Sequence, residues 1–204
     1  MKLGIGKSTA LLVVDIQNDF MPWGTVPVAE GDKVVPVLNE YIREFINTGA
    51  SIFYSRDWHP KNHISFKQQG GPWPPHCVQN TKGAEFDPDL IIAKGAKIIS
   101  KATNPNKESY SDFGGTKLAS ILRKLGVKTV LVGGLATDYC VRYTVLDALK
   151  AGFKTYVLTD ACRAVEVKSG DSKKALDEML TKGAEKLELS QLAIVPKIVS
   201  KRKP

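Results

Sequence analysis

The stretch that decides the predicted fold is residues 128–152, KTVLVGGLATDYCVRYTVLDALKAG. It opens with a short apolar run from Lys128 to Val132, which is typical of a strand buried inside a sheet. Apolar side chains then recur at helical spacing before Gly152, at Val141, Val145, Ala148 and Leu149. A buried strand followed by an amphipathic helix is one unit of a right-handed βαβ crossover, so it indicates a parallel sheet.

The same alternation extends outward in both directions along the chain. Further strands are predicted at residues 10–14, 51–55, 96–100 and 154–158, and a last one at either 187–189 or 192–195. Helices are predicted where apolar residues form a helical stripe, at residues 34–45, 118–125 and 175–180. The pattern predicts an α/β fold with a mostly parallel sheet, in a single domain of residues 1–204 that carries a basic C-terminal tail at about 197–204.

Composition narrows the class of protein further. The chain has 204 residues, 43% of them hydrophobic, which suffices for one domain with a substantial core. Its net charge of +8 comes mostly from scattered lysines without a recognition motif, so we expect no specific nucleic-acid partner. Apolar runs are too short to cross a bilayer, and we expect neither a signal peptide nor membrane association. Three cysteines argue against a disulfide framework and favour the cytoplasm, and a homo-oligomer stays open.

Residues whose side chains can react or bind ligands follow each of the first five predicted strands. They are Asp15, the segment 56–59 (RDWH), Lys101, the segment 133–140 (GGLATDYC) and Asp160. In open α/β sheets, ligands bind outside the carboxyl ends of the strands. We therefore expect these positions to meet at one edge of the sheet and to share one binding site.

Cys140 is the candidate nucleophile at this edge. It lies near the start of a helix, whose dipole and free N–H groups favour a thiolate, and a nearby Lys101 adds to this effect. Asp15 is placed to take the thiol proton and to pass it later to a leaving group. The free N–H groups of the same turn are suited to receive an oxyanion.

Each assignment has a plainer alternative. A lone cysteine is more often a small buried hydrophobe, and a lysine such as Lys101 is more often solvated. Asp15 could simply cap a turn, and Asp19 in the same loop competes for the acid–base role. Asp160 is expected in a turn or in support of the site. The two remaining thiols are weaker candidates for chemistry: Cys77 and Cys162.

All three histidines lie between residues 59 and 76, inside the long Pro- and Gly-rich segment 56–90. Asp57 and His59 share a face in an extended segment, and His76 completes a set of two histidines and one carboxylate. Such a set suits one divalent metal per chain, with Zn²⁺ preferred and Fe²⁺ or Mn²⁺ as alternatives. His63 is equally compatible with a ligand and with a residue that supports the ligands.

Aromatic residues near these positions are candidate walls for a flat ring. Phe20 follows the first strand and Trp73 lies in the histidine-rich segment, so both are predicted to bind substrate. Plain core packing is the alternative for both. For Trp58 we prefer core packing.

Five ordered segments of the chain resemble the signature segments of the isochorismatase-like cysteine hydrolases. They are LLVVDIQNDF (11–20), SRDWHPKNHISF (55–66), GGPWPPHCVQNTKGAEF (70–86), KATNPNKESYSDF (101–113) and VGGLATDYCVRYTVLDALKAGF (132–153). Together they span about residues 10–164, most of the chain. The resemblance implies a three-layer αβα sandwich with a six-stranded parallel sheet.

The resemblance also implies roles for individual residues. The family's catalytic triad matches Asp15, Lys101 and Cys140, and the metal set of its nicotinamidase branch matches Asp57, His59 and His76. A cis peptide bond is implied between Leu135 and Ala136, with the backbone N–H groups of Ala136 and Cys140 as the oxyanion hole. The positions that sandwich the substrate ring match Phe20 and Trp73. Some members use an additional metal-binding histidine at a longer spacing than that of His63.

The implied activity is hydrolysis of nicotinamide to nicotinate and ammonia through a thioester with Cys140, in the salvage of NAD. Pyrazinamide is implied as a further substrate. The main alternative is another amidase of the same superfamily that acts on a carbamoyl or ureido amide, which the metal set disfavours. Isochorismatase does not need the cysteine, so Cys140 disfavours that activity. A non-catalytic metal or nucleic-acid binder is a more distant alternative.

Overall fold

The computed structural model describes residues 2–193, which form one sheet with helices on both faces. The strands are β1 (Thr9–Val14), β2 (Ser51–Asp57), β3 (Lys97–Lys101), β4 (Thr129–Leu135), β5 (Lys154–Arg163) and β6 (Glu185–Leu187). The helices are α1 (Val34–Thr48), α2 (Leu118–Lys124), α3 (Arg142–Lys150) and α4 (Asp171–Thr181). The sheet order is β3-β2-β1-β4-β5-β6, and each neighbouring pair is parallel.

The core divides into two layers because β1 is buried on both faces. Leu11 and Val13 of β1 pack with the apolar side of α1, including Leu38. Ala10, Leu12 and Val14 point the other way and pack with the remaining helices, through residues that include Leu118 of α2, Val145 of α3 and Met179 of α4. The predicted three-layer αβα sandwich with a six-stranded parallel sheet is therefore confirmed.

Helix α1 forms and ends as its sequence predicts. Its buried side chains repeat every three to four residues, and Gly49 closes it in the left-handed conformation with φ of 66°. That conformation is the one that glycine adopts without a steric penalty. None of the helices in the described part of the chain is long and apolar enough to cross a membrane.

Strand β4 runs further than the sequence indicates. Gly133, Gly134 and Leu135 were expected in a turn after the strand, but they extend it beside β1. Gly134 has φ of 133°, and a Cβ there would lie 2.1 Å from the carbonyl oxygen of Val14. The glycine therefore allows close approach to β1 and carries the strand to the edge where the site lies.

The last strand also differs from the expectation. Strand β6 spans Glu185–Leu187, two residues before the predicted 187–189, whereas Leu192 forms only an isolated bridge with Leu3. The predicted basic tail at 197–204 and the end of the alternative strand 192–195 lie outside the described residues.

The segment between β2 and β3 supplies most of the chemistry and little regular structure. It contains the short 3-10 turns Lys67–Gln69 and Lys82–Ala84, with isolated bridges between His59 and Val78 and between Phe66 and Trp73. A loop of this length in a compact fold is usually functional. Backbone hydrogen bonds from Asn18 to Glu85 and from Asp87 to Ile16 join it to the segment that follows β1.

Candidate active site

A buried lysine joins three predicted site residues at the carboxyl ends of the strands. Lys101 ends β3 and is 1% exposed. Its Nζ lies 2.7 Å from Oδ2 of Asp15, 2.5 Å from Oδ1 of Asp57 and 3.3 Å from Sγ of Cys140. The three ammonium protons thus face two carboxylates and the thiol, so the structure brings Asp15, Lys101 and Cys140 together.

Burial and charge oppose each other at this lysine. Burial alone would lower the pKa of Lys101, but the nearby charges of Asp15 and Asp57 outweigh it and hold the pKa well above its ordinary value. The ammonium group therefore stays protonated. A buried cation with two carboxylate partners is a fixed source of positive potential beside the sulfur.

Asp15 is held in a position suited to a proton acceptor. It follows β1 with φ of 49°, is fully buried, and accepts a hydrogen bond of 2.7 Å from the Ser55 hydroxyl at Oδ1. Burial raises the pKa of Asp15, although the charge of Lys101 partly opposes the rise. A carboxylate with a raised pKa accepts and releases a proton more readily near neutral pH.

Cys140 lies in a π-helical turn, Thr137–Val141, that leads directly into α3. The turn follows a cis peptide bond between Leu135 and Ala136, as the family resemblance implies. Burial raises the pKa of the Cys140 thiol well above its ordinary value despite the charge of Lys101. The sulfur therefore needs a base to remove its proton, and Asp15 is the adjacent candidate.

The predicted metal set is assembled, and its carboxylate, Asp57, also accepts from Lys101. Asp57, His59 and His76 are buried, and one ligand atom from each lies within 4.8 Å of the others. The Nδ1 atoms of the two histidines lie 3.0 Å from the His76 carbonyl and 2.8 Å from the Pro74 carbonyl. A carbonyl only accepts, so each Nδ1 carries the proton and each Nε2 keeps a lone pair for a metal.

The protonation of His59 agrees with that use. Burial lowers the pKa of His59 to about 4, so its ring is neutral at physiological pH. Two imidazoles and a carboxylate form the mixed nitrogen and oxygen set that zinc, iron and manganese accept. The residues present therefore fit a divalent transition metal.

His63 has both ring nitrogens engaged by the protein. Its Nδ1 lies 2.7 Å from the Ser65 hydroxyl and its Nε2 lies 3.2 Å from the Lys107 carbonyl. The ring packs against that of His59 at a centroid distance of 4.4 Å, and a donor atom also falls near His59 and Glu108. These contacts favour the supporting role over that of a ligand.

A narrow cavity is lined by two residues of the metal set, Asp57 and His76, and by Cys140. Phe20 and Trp73 line it, as predicted, together with Ala136. Ala136, whose N–H is a predicted oxyanion donor, therefore stands beside the nucleophile. Sequence reasoning missed further lining residues: Val26, Tyr110, Tyr139 and Val165.

The missed tyrosines hold one wall of the cavity in place. The indole N–H of Trp73 donates to the Tyr110 hydroxyl at 3.0 Å, and Tyr139 packs edge-on against Trp73 at 5.1 Å. Tyr139 is adjacent in sequence to Cys140, and that position was a usable signal. Tyr110 lies in the segment after Lys101, where its sequence position gives no indication of a contact with Trp73.

Gln17 and Ser55 are further residues that sequence reasoning missed. The Gln17 amide donates to the backbone carbonyl of Asp57 at 2.9 Å and accepts from its N–H at 2.8 Å. It thereby fixes the strand end that carries a metal ligand. Ser55 orients Asp15, as described above. An inward-facing Ser on β2 is the available signal, since it alternates with Tyr54 and points to the same side as Asp57.

Other candidates lie away from the reacting atoms. Asp19 accepts from the Cys77 N–H at 2.7 Å and from the Thr25 hydroxyl, so it braces a loop and is not the acid–base residue. Asp160 lies within β5, not beyond it, and accepts from the Tyr41 hydroxyl and the Leu189 N–H. Its expected place at the shared edge is therefore wrong.

The remaining thiols and the other tryptophan also have structural roles. Cys77 packs in the core on the α1 side of the sheet and Cys162 in the core on the opposite side. The guanidinium of Arg56 stacks over the Trp58 ring at 3.7 Å, and Trp58 does not line the cavity. Trp58 packs against the core on the α1 side of the sheet, which agrees with the core packing that we preferred for it.

Comparison with known proteins shows the family to which the chain belongs. A family model described as the isochorismatase domain matches residues 9–191. The nicotinamidase of Escherichia coli is 42% identical over 196 residues, which cover 86% of this chain and 92% of that protein.

Two solved structures have the same fold. The pyrazinamidase of Pyrococcus horikoshii, in complex with zinc, has 56% sequence identity and a TM-score of 0.85, covering 89% of this chain and 99% of that one. PnC1 from L. infantum, in complex with nicotinate, has 31% identity and a TM-score of 0.86, covering 95% and 99%.

Proposed function

This chain belongs to the isochorismatase family, and from that premise we propose that it is a nicotinamidase, hydrolysing nicotinamide to nicotinate and ammonia. Pyrazinamide is a second substrate in this proposal. The single observation that carries it is that one buried lysine, Lys101, contacts Asp15, Asp57 and Cys140. Two of these residues, Asp57 and Cys140, also line the aromatic cavity. An amidase for carbamoyl or ureido substrates has no evident use for the histidine pair.

The metal in this proposal is one zinc ion per chain, held by Asp57, His59 and His76. When bound, it supplies a Lewis acid that attracts the ring nitrogen of the substrate. The neutral state of His59 and the free Nε2 atoms of both histidines support this assignment. The zinc complex of the Pyrococcus relative supports the choice of zinc.

The first half of the reaction forms a thioester and releases ammonia. Asp15 takes the thiol proton of Cys140, and Lys101 stabilises the thiolate as it forms. The sulfur attacks the carboxamide carbon, and the backbone N–H groups of Ala136 and Cys140 stabilise the oxyanion. The carbon–nitrogen bond then breaks as Asp15 passes its proton to the leaving nitrogen, and ammonia departs.

The second half of the reaction restores the enzyme. Asp15, again a carboxylate, takes a proton from a water molecule that attacks the thioester carbon. The carbon–sulfur bond breaks, nicotinate is released, and Cys140 recovers its proton. Phe20 and Trp73 hold the ring between them during both halves, because a flat aromatic ring packs well against aromatic walls.

The cellular setting is part of the same proposal. All three cysteines are free, which supports a reducing cytoplasm, and the reaction would serve the salvage of NAD. A single domain over the whole chain is supported by the one continuous sheet of the described residues.

The test is ammonia release from nicotinamide by the purified protein, measured before and after removal of metal with a chelator. We expect turnover that chelation abolishes and that added zinc restores. Nicotinate should appear in equal amount to ammonia. Absence of turnover in the metal-loaded protein, with a carbamoyl amide hydrolysed instead, would contradict the proposal.

A further inference from the structure

A buried carboxyl group near the proposed base takes no part in the mechanism above. Asp112 lies between β3 and α2 and is 2% exposed. Its N–H donates to the Thr144 hydroxyl of α3 at 3.0 Å, and its carbonyl accepts from the Thr116 hydroxyl at 2.6 Å. Its side-chain atom Oδ1, in contrast, is buried without a hydrogen-bond partner in the described structure. An unpartnered buried oxygen is costly, so packing alone does not explain it.

The groups that act on this carboxyl come from three strand ends. They are Asp15 after β1, Asp57 and the Ser55 hydroxyl on β2, and Lys101 at the end of β3. Helix α3 faces it with the threonine hydroxyl described above. Burial and the charge of Asp15 raise the pKa of Asp112 to about 8, against the smaller opposing effects of Lys101 and Ser55. Both of these raising effects favour the neutral form of the carboxyl.

The Ser55 hydroxyl connects this carboxyl group to the proposed base. A serine has one hydroxyl hydrogen, and that of Ser55 is given to Asp15 Oδ1 at 2.7 Å. An ionised Asp112 would compete for this hydrogen and would place a second negative charge beside Asp15. A protonated Asp112 does neither, and it is itself able to donate to the serine oxygen.

We propose that Asp112 is a positioning residue for the hydrolysis: its buried carboxyl group leaves the Ser55 hydroxyl hydrogen to Asp15, and that hydrogen bond holds the base towards Cys140. This inference rests on the proposed function and adds a residue to it. Loss of the Asp112 proton releases the serine and increases negative charge around the thiol. The rate of the chemical step then falls as the pH rises past the point at which Asp112 ionises.

The test compares kcat and KM of the metal-loaded wild type, Asp112→Leu and Asp112→Asn between pH 6 and 10. Asp112→Leu has a similar volume but cannot donate, and we expect kcat to fall about tenfold or more with KM little changed. Asp112→Asn donates without ionising, so it should recover most of the lost kcat. Its alkaline loss of activity should begin at least about one pH unit higher than that of the wild type.

Asp160→Asn is the matched control, because Asp160 is a carboxylate of the same sheet whose hydrogen-bond partners, the Tyr41 hydroxyl and the Leu189 N–H, are outside the proposed site. It should keep the alkaline profile of the wild type. The proposal is overturned if Asp112→Leu keeps the wild-type kcat, or if Asp112→Asn loses activity at the same pH as the wild type. It is also overturned if Asp112→Asn is as slow as Asp112→Leu.

Thermal unfolding gives a second readout that needs no substrate. A carboxyl whose folded pKa is raised above its unfolded value lowers stability as the pH rises between the two values. Asp112→Asn should therefore become more stable than the wild type from about pH 4 to about pH 8, with no further gain above. A constant difference would overturn the neutral state of Asp112. If Asp112→Asn shows this gain but the metal-loaded wild type hydrolyses no nicotinamide, the proposed function is overturned and, with it, the positioning role.

Discussion

At the scale of single residues, the Lys101 ammonium group links the proposed metal site to the thiol. Its protons face Asp15, Asp57 and Cys140, and it is shielded from water. Charge-assisted hydrogen bonds of this kind are short and directional, so the lysine fixes both carboxylates relative to the sulfur. A metal bound at Asp57 and a thiolate at Cys140 are consequently coupled through one cation.

Lys101→Met is expected to abolish most of the activity and to destabilise the fold. The variant keeps the length of the side chain but leaves two buried carboxylates without their cation, which costs about 3–5 kcal/mol. Circular dichroism melting and ammonia release measure the two effects. Lys97→Met is the matched control, since Lys97 lies on the same strand but is exposed. Equal behaviour of the two variants would contradict the role given to Lys101.

Cys140→Ala is expected to lose activity by about a thousandfold or more, because the proposed thioester cannot form. The fold and the metal content should be unchanged, since the metal set contains no cysteine. Cys162→Ala should retain activity within about twofold, because Cys162 packs in the core away from the cavity. Substantial ammonia release by purified Cys140→Ala would contradict the covalent mechanism.

At the scale of elements, the site depends on how far each strand runs. Strand β4 continues past Val132 through a glycine that touches the backbone of β1, and only then does the chain turn into the π-helical segment of Cys140. Strand β2 likewise extends to Asp57, two residues beyond the run that the sequence suggests. These extensions carry the reactive side chains to a common height at the sheet edge.

Gly134→Ala is expected to destabilise the protein by about 3 kcal/mol or more, through backbone strain and collision with Val14. In a chain of this size that corresponds to a fall in Tm of roughly 6–12 °C. Gly183→Ala is the matched control, because Gly183 also has a positive φ, of 106°, but open space around its Cα. A Tm change of the same size in both variants would contradict the close approach of β4 to β1.

Metal binding is expected to depend on two histidines of the loop between β2 and β3. His59→Ala and His76→Ala should each lose the bound ion on purification, as measured by elemental analysis. His63→Ala should keep the ion, with affinity weakened by about 10–100-fold, because its nitrogens bond to Ser65 and Lys107. Complete loss of metal from His63→Ala would instead make His63 a ligand.

At the scale of the whole molecule, alternation of strands and helices predicted an α/β fold with a mostly parallel sheet, and the family resemblance supplied the six strands and the three layers. The alternation also placed Asp15, Lys101 and Cys140 at one edge, since parallel strands end on the same side. It could not reveal Ser55, Gln17 or Asp112, whose contacts join residues distant in sequence. Asp160 was misplaced because the length of β5 depends on its pairing with β4 and β6.

The arrangement of the whole sheet also predicts which substrates are accepted. The histidines of the metal set come from the loop after β2 and the thiol from the turn after β4, and His76 and Cys140 both line the cavity with Phe20 and Trp73. In this cavity we expect a ring to point its nitrogen towards the histidines and its carboxamide at Cys140. Benzamide lacks the nitrogen, and a site built to hold a polar atom strongly rejects an analogue without it.

We therefore expect kcat/KM for benzamide to be lower than that for nicotinamide by about a thousandfold or more, because the carbonyl is no longer positioned at the sulfur. Pyrazinamide keeps a nitrogen at the same ring position and should be accepted. The measurement is ammonia release from the three amides by one metal-loaded preparation, with Cys162→Ala run in parallel as a control for the integrity of the site. If benzamide and nicotinamide gave equal kcat/KM, the histidine set would not anchor the substrate. Its metal would then act on the fold of the loop, since the same three ligands also tie residues 57, 59 and 76 together.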